Sequence, residues 1–369
     1  MKTFFYRIFA LAFRLFRLLP PQKNKVALLA PHRELGSLAA VRDALEASWR
    51  VAVLRVHAPL RHPLRLFTAD AYHLATAGAV FLNDNFMPLG DLHFRPGVRV
   101  IQLWHGEGAF KRFGLSLPLE PRLAARVRRG GQRLTAVVCA APPLVPYYAE
   151  AFGVPPACVL PLGSPRVDAL VRPTDSAALR RAWDAKFPAC AGKRLLLYAP
   201  TFRDDPGEND ALLSHFDFAA FADRFGGNTI LLLRLHAKQT GALPALPPCV
   251  LDVTQARDGL AILRLCDGLI SDYSSLCMEA ALLDIPVFCY VYDYAAYAAK
   301  RGFYMPLRDL PPGAVAETFP ALLDAIAAPD TWAAQRQSFA RFHLGEPDGK
   351  ATERVIGLLT MEHAGAVTG

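Results

Sequence analysis

The chain has 369 residues, 53% hydrophobic and 20% charged, which is enough apolar material for two cores of ordinary domain size. Its formal net charge of +8 is concentrated in two acid-free stretches, residues 1–25 and Pro121 to Ala149, and points to anionic partners: lipid head groups, phosphates or nucleic acid. Nucleic acid drops out for want of a helix-turn-helix, RNA-binding or zinc-finger pattern, and the seven scattered cysteines, with no CxxC pair, argue for a reducing compartment and against a disulfide framework or zinc site.

The first predicted element covers residues 1–21. Thr3 to Leu19 is rich in Phe, Leu and Ile, but Arg7, Arg14 and Arg17 interrupt it, and its longest apolar run, Ile8 to Phe13, is far too short to span a bilayer. The charges are spread through the segment, unlike those of a signal peptide, and Pro20-Pro21 ends it. On a helical wheel Phe4, Phe5, Ile8, Leu11 and Leu15 are placed away from the cations. The expectation is an amphipathic helix lying in the membrane interface; a helix packed on the protein's own surface is the alternative.

Short apolar runs then alternate with helical spacing. Lys25 to Ala30, Val51 to Val56, Ala79 to Leu82, Val98 to Leu103, Ala136 to Cys139 and Cys158 to Leu160 are predicted strands. The proline-bearing stretch Pro161 to Ala191 marks a junction. The pattern restarts with Arg194 to Ala199, Thr229 to Arg234, Val250 to Val253, Gly268 to Ser271 and Pro286 to Tyr290. Such alternation indicates α/β architecture, with two doubly wound Rossmann-like halves facing a cleft. The predicted limits are 22–185 and 186–345, with a last helical segment, 346–369, returning toward the first half.

Three segments carry candidate chemistry. In Gln102-Leu103-Trp104-His105-Gly106-Glu107-Gly108 a histidine follows a strand at its carboxyl end, where ligands of such sheets bind. Its pKa suits general-base work, and Gly106 and Gly108 let main-chain N–H groups approach a phosphate. A core-edge histidine in an ordinary loop is the bland alternative. In Arg234-Leu235-His236-Ala237-Lys238 a second strand ends in a histidine flanked by cations; a solvated strand end is the alternative. In Ser271-Asp272-Tyr273-Ser274-Ser275 the two serines fall at a helix start, either a phosphate site or plain capping, and Asp272 either orients a ribose or histidine or caps the turn. Thr201-Phe202-Arg203-Asp204-Asp205 is a weaker polar loop, and Asp204-Asp205 reads as loop rather than metal site.

Together these segments resemble the CDP-glycerol glycerophosphotransferase family, the primases and polymerases of teichoic acids and related enzymes, over about residues 75–357. Besides the segments above, the resemblance rests on Lys111 and Gly114, Gly163-Ser164-Pro165-Arg166-Val167-Asp168, Tyr198-Ala199-Pro200, Asp293-Tyr294 with Tyr297, Arg301-Gly302-Phe303-Tyr304, and Asp348-Gly349-Lys350-Ala351 with Arg354. It implies a two-domain GT-B fold, peripheral attachment to the cytoplasmic face of the cell membrane, no metal or other cofactor, a CDP-alditol donor and a lipid-linked glycan or polymer acceptor. Carried over, His105 is the base and His236 supports the donor phosphate; Arg234, Ser274 and Ser275 meet the pyrophosphate, with Thr201, Arg203 and Asp272 nearby. Glu107-Gly108 stands where members often carry Thr-Pro, so Glu107 is expected to face acceptor or solvent, and Leu235 stands where proline is common. Three activities remain: phosphoryl transfer with release of CMP, sugar transfer from a nucleotide sugar on the same scaffold, and glycan binding without turnover.

Overall fold

A computed structural model of the chain describes residues 2–30, 35–55, 63–236, 243–256 and 259–360. Val56, Ala237 and Lys238, all named above, lie outside the described residues, as do 361–369. The chain divides into two compact units, Met1–Val171 with Leu344–Gly369, and Arg172–His343.

The first unit holds six parallel strands: β1 (Gln22–Ala30), β2 (Arg50–Arg55), β3 (Ala77–Leu82), β4 (Arg99–Gln102), β5 (Ala136–Cys139) and β6 (Val159–Pro161). Their order across the sheet is β2-β1-β3-β4-β5-β6. Side chains alternate between two cores, as a doubly covered parallel sheet requires. From β1, Ala27 and Leu29 join Val80, Leu82, Phe9 and Phe13 on one face; Val26 and Leu28 join Phe81, Ile101, Val41 and Val355 on the other.

The N-terminal helix runs Lys2–Phe16 and covers the first face. Phe9 and Phe13 are buried in that core and meet Phe86 and Phe94 edge-on. Phe5 stacks on Phe67. This is the alternative reading, a helix packed on the protein's own surface, for one face of the helix. The chain packs one apolar face of the helix onto its own sheet, and a second apolar stripe, Phe4, Leu11 and Leu15, remains exposed beside Arg7 and Arg14, with Leu18 beyond the helix end. Phe5, expected on the outer face, belongs to the inner one because 100° steps place it with Phe9 and Phe16.

The returning C-terminal segment forms the helix Ala351–Gly357, whose Val355 enters the second core. Its first N–H groups are satisfied from far away in sequence. Asp168 accepts from the Ala351 and Thr352 N–H groups at 3.0 and 2.7 Å and from the Thr352 hydroxyl at 2.6 Å. Gly163, at φ +88°, leaves room for this approach, since a Cβ there would lie 2.8 Å from that of Ala351. The Gly163-to-Asp168 motif is therefore the clasp of the returning helix.

The second unit repeats the plan with β7 (Arg194–Tyr198), β8 (Thr229–Leu233), β9 (Val250–Asp252), β10 (Gly268–Ser271), β11 (Val287–Tyr290) and β12 (Ala314–Ala316), all parallel, in the order β12-β11-β10-β7-β8-β9. The chain enters this unit at Arg172, ahead of the expected boundary at 185/186, because the helix Ser176–Lys186 belongs to it: Arg180 donates to the carbonyls of Cys190 and Lys193. The edge strand β12 was not anticipated. Ala314-Val315-Ala316 is short and two-thirds alanine, a residue depleted in strands, so it carries little strand signal.

Candidate active site

In each sheet the strand order reverses direction once, and the carboxyl ends of the strands at such a reversal are where ligands of these sheets bind. In the first unit the reversal lies between β1 and β3; in the second, between β7 and β10. The candidate residues of each unit gather at or beside these points.

In the first unit β4 ends at Gln102, and Trp104 takes φ +60°, a conformation that costs a bulky residue about 1–3 kcal/mol. Several contacts hold it. Its N–H donates to Gln102 Oε1 at 2.9 Å, and its indole stacks on Phe113 at 4.9 Å and meets Phe152 edge-on at 5.3 Å. The next residue, His105, is consequently turned out of the sheet, and its side chain is 45% exposed. The His105 Nδ1–H donates to the Asn83 carbonyl at 3.1 Å. A carbonyl oxygen only accepts, so Nδ1 carries the hydrogen and Nε2 is left with its lone pair. The Asp84 carboxylate lies 3.7 Å from the same Nδ1.

The loop beyond is pinned from beneath. The Tyr148 hydroxyl sits 3.1 Å from both the Gly106 and Gly108 carbonyls, sharing its one hydrogen between them. Gly114, at φ +58°, must be glycine, since a Cβ there would fall 2.1 Å from the Ala151 carbonyl oxygen. Glu107 does not face open solvent alone: it accepts from Ser164 Oγ at 2.8 Å, which ties the histidine loop to the clasp of the C-terminal helix.

In the second unit Thr201, Arg203, Arg234, His236 and the Asp272-to-Ser275 turn follow three adjacent strands, β7, β8 and β10. They divide by what they are already doing. Arg203, expected beside the donor phosphate, has another task. Its guanidinium is 4% exposed, donates to both Asp293 oxygens at 2.7 and 3.1 Å and to the Thr201 carbonyl at 2.6 Å, and pairs with Asp272 at 3.1 Å. Burial on its own would lower its pKa, but Asp272, Asp293 and Tyr292 outweigh that and raise it above the ordinary value. Asp272 is equally committed: Oδ1 accepts from the N–H groups of Thr201 and Tyr273 at 2.8 and 2.6 Å. It caps the turn. This ion pair with two carboxylates is the strut under these strand ends.

Thr201 and Arg234 contrast with it. Thr201 Oγ1 and Arg234 Nε are buried and lack a hydrogen-bond partner among the described residues, an arrangement that costs about 1–3 kcal/mol per group unless something satisfies it. Gly259 makes space for the arginine, since a Cβ there would lie 2.9 Å from its guanidinium carbon. Ser274 Oγ accepts from the Leu276 N–H at 3.2 Å and so performs the capping, whereas Ser275, the N-cap of the helix Leu276–Leu282, makes no side-chain capping bond. His236 is exposed, with its ring 4.5 Å from Phe202, and the Leu235 N–H donates to Thr254 Oγ1 at 3.0 Å, fixing the strand end. Asp204 pairs with Arg301 and Asp205 caps the helix Pro206–Asp210, so neither carboxylate is arranged for a metal. Among the described residues no group of three His, Cys, Asp or Glu could hold a metal ion.

Sequence reasoning found both histidines because each ends a strand. It missed Asn83 and Asp84. The signal was present: two polar side chains directly after β3, the neighbour of the histidine's own strand.

A model of the family described as CDP-glycerol:poly(glycerophosphate) glycerophosphotransferase matches residues 44–361. The chain is 29% identical to the teichoic acid ribitol-phosphate primase of Bacillus spizizenii, over 98% of both chains. It is 30% identical to the teichoic acid poly(ribitol-phosphate) polymerase of the same organism, over 95% of this chain but only 58% of that protein's length. Among solved structures, the wall teichoic acid polymerase TagF superposes with a TM-score of 0.79 at 20% identity, over 95% of this chain and 92% of that one, a likeness of fold.

Proposed function

Because the chain belongs to the CDP-glycerol:poly(glycerophosphate) glycerophosphotransferase family, we propose that it transfers an alditol phosphate, ribitol or glycerol, from its CDP-activated form to a hydroxyl of a membrane-linked polymer, releasing CMP. The chain is a phosphotransferase of cell-wall polymer biosynthesis. The observation that carries the donor assignment is the pair of orphaned buried atoms, Thr201 Oγ1 and Arg234 Nε, beside the strand reversal of the second unit. A phosphate supplies acceptors for both, and the Ser275 helix start and His236 add donors for the remaining oxygens.

In the transfer, the acceptor oxygen attacks the phosphorus nearer the alditol. The anhydride bond to CMP breaks, and CMP leaves with the bonding electron pair. The acceptor's proton passes to Nε2 of His105, which the tautomer leaves unprotonated. Cationic and N–H donors take the place of a metal at the pyrophosphate.

The reading places this chemistry at the cytoplasmic face of the membrane. No described helix is long and apolar enough to cross a bilayer. The stripe Phe4, Leu11, Leu15 and Leu18 with Arg7 and Arg14 suits the head-group boundary of an anionic surface.

His105→Ala and His236→Ala test the assignment. Each should cut turnover about 100- to 10,000-fold. His236→Ala should also weaken CDP-alditol binding, while His105→Ala should not. A folded His105→Ala protein with near wild-type turnover would remove the proposed base.

A further inference from the structure

The groups around His105 show more than one histidine at a strand end. Two links join the end of β3 to the end of β4, and a third braces the β4 end itself. The Gln102 side-chain amide donates to the Asp84 carbonyl at 3.1 Å, the Trp104 N–H donates to the other end of the same amide, and the His105 Nδ1–H donates to the Asn83 carbonyl. Asn83 is buried, and its own amide donates to the Leu35 carbonyl at 2.9 Å. The Asp84 carboxylate is itself oriented: Oδ1 accepts the Asn85 N–H at 2.6 Å, and the side chain is only 22% exposed. A carboxylate held in this way 3.7 Å from an imidazole nitrogen is not a passing surface pair.

We propose that Asp84 is a positioning residue for the transfer: its carboxylate, fixed beside Nδ1, stabilises the imidazolium that forms when Nε2 takes the acceptor's proton. The proposal rests on the reading of His105 as the base. The division of labour is chemical. The Asn83 carbonyl selects the tautomer, because a neutral oxygen acceptor keeps hydrogen on Nδ1 in the resting state. Asp84 acts on the charged state, because a full negative charge nearby favours a cation far more than a neutral ring. No proton needs to reach Asp84; the proton gained at Nε2 passes on to solvent after CMP has left. The other charged groups of the histidine's loop are Glu107, whose carboxylate is engaged by Ser164, and Lys111 and Arg112, further along. Asp84 is the carboxylate that the neighbouring strand end places at Nδ1.

The test uses the full-length protein and two readouts. Asp84→Asn keeps the shape and the acceptor for the Asn85 N–H but removes the charge; Asp84→Glu keeps the charge. The first readout is the titration midpoint of His105, followed by NMR of the imidazole carbon-bound hydrogens and assigned with His105→Gln. It should fall by about one pH unit in Asp84→Asn and stay near wild type in Asp84→Glu. The second is the pH profile of kcat/KM with a CDP-alditol. Its acid limb should move down with the midpoint, and its plateau should drop about tenfold, because the base is weaker. A merely structural role would lower the plateau and leave both midpoints in place, which would overturn the proposal. If the His105 variant itself kept its turnover, the base reading would fail and this proposal with it, whereas an unshifted midpoint in a protein that needs His105 would remove Asp84 alone.

Discussion

A guanidinium that is 4% exposed and already holds two carboxylates and a carbonyl has four of its five N–H hydrogens engaged, whereas a buried Nε without a partner among the described residues has one waiting. This contrast separates Arg203 from Arg234, two residues that look alike as cations after a strand. Arg203→Ala should destabilise the fold by about 3–5 kcal/mol, because Asp272 and Asp293 would keep buried charge without its partner. Urea unfolding measures this, and an unchanged midpoint would contradict the strut. Thr201→Val and Arg234→Gln should not lower the unfolding midpoint, since each removes an unsatisfied buried group, and should weaken CDP-alditol binding by about tenfold to a hundredfold, read by calorimetry. Equal binding by all three proteins would show that the orphaned atoms face something other than the donor. Acid sensitivity has a residue-level source as well. His343 is fully buried, and burial lowers its pKa from 6.5 to about 3. The unfolded chain therefore takes up this proton first as pH falls from 6.5 toward 3, and stability should decline by about 1.4 kcal/mol per pH unit in that window from this group alone. His343→Leu should flatten the decline in urea titrations between pH 6.5 and 4, and an unaltered slope would exclude His343 as its source.

At the scale of elements, the N-terminal helix serves two surfaces. Phe9→Ala should cost about 3–5 kcal/mol of stability by leaving a cavity in the first core. Replacing both Leu11 and Leu15 with Glu should leave stability unchanged and release the protein from anionic phospholipid vesicles in a sedimentation assay. If the double variant still sedimented, the stripe would not be the contact. Removing residues 1–21 altogether mixes the two effects, because it strips Phe9 and Phe13 from the sheet as well. The sequence showed the helix and its basic side chains, but a wheel alone does not say which of two apolar faces the protein uses for itself. That choice is made by Phe67, Phe86 and Phe94, which come from elsewhere in the chain. Eleven of the strands were legible as short apolar runs, whereas β12 is Ala314-Val315-Ala316, three residues of which two are alanine, a residue depleted in strands. The site was legible in the same uneven way. Strand-end histidines announce themselves by position. The partners that orient them, Asn83 and Asp84, and the commitments that disqualify Arg203 depend on which strands lie side by side, and sheet order is not written in local sequence.

At the scale of the whole molecule, two sheets built on one plan each reverse their strand order once, and each carries one of the two histidines at the carboxyl ends of its strands. The same fold would serve sugar transfer equally well, so what separates the activities is the bond that breaks. The central claim is therefore tested most directly by following the phosphorus. CDP-ribitol and CDP-glycerol, each labelled with 32P in the phosphate nearer the alditol, are incubated with the purified protein and acceptor membranes in excess EDTA. The account predicts that unlabelled CMP is released and that the label passes into the membrane fraction. Label retained in the nucleotide as CDP, or activity that vanishes in EDTA and returns with magnesium, would contradict it.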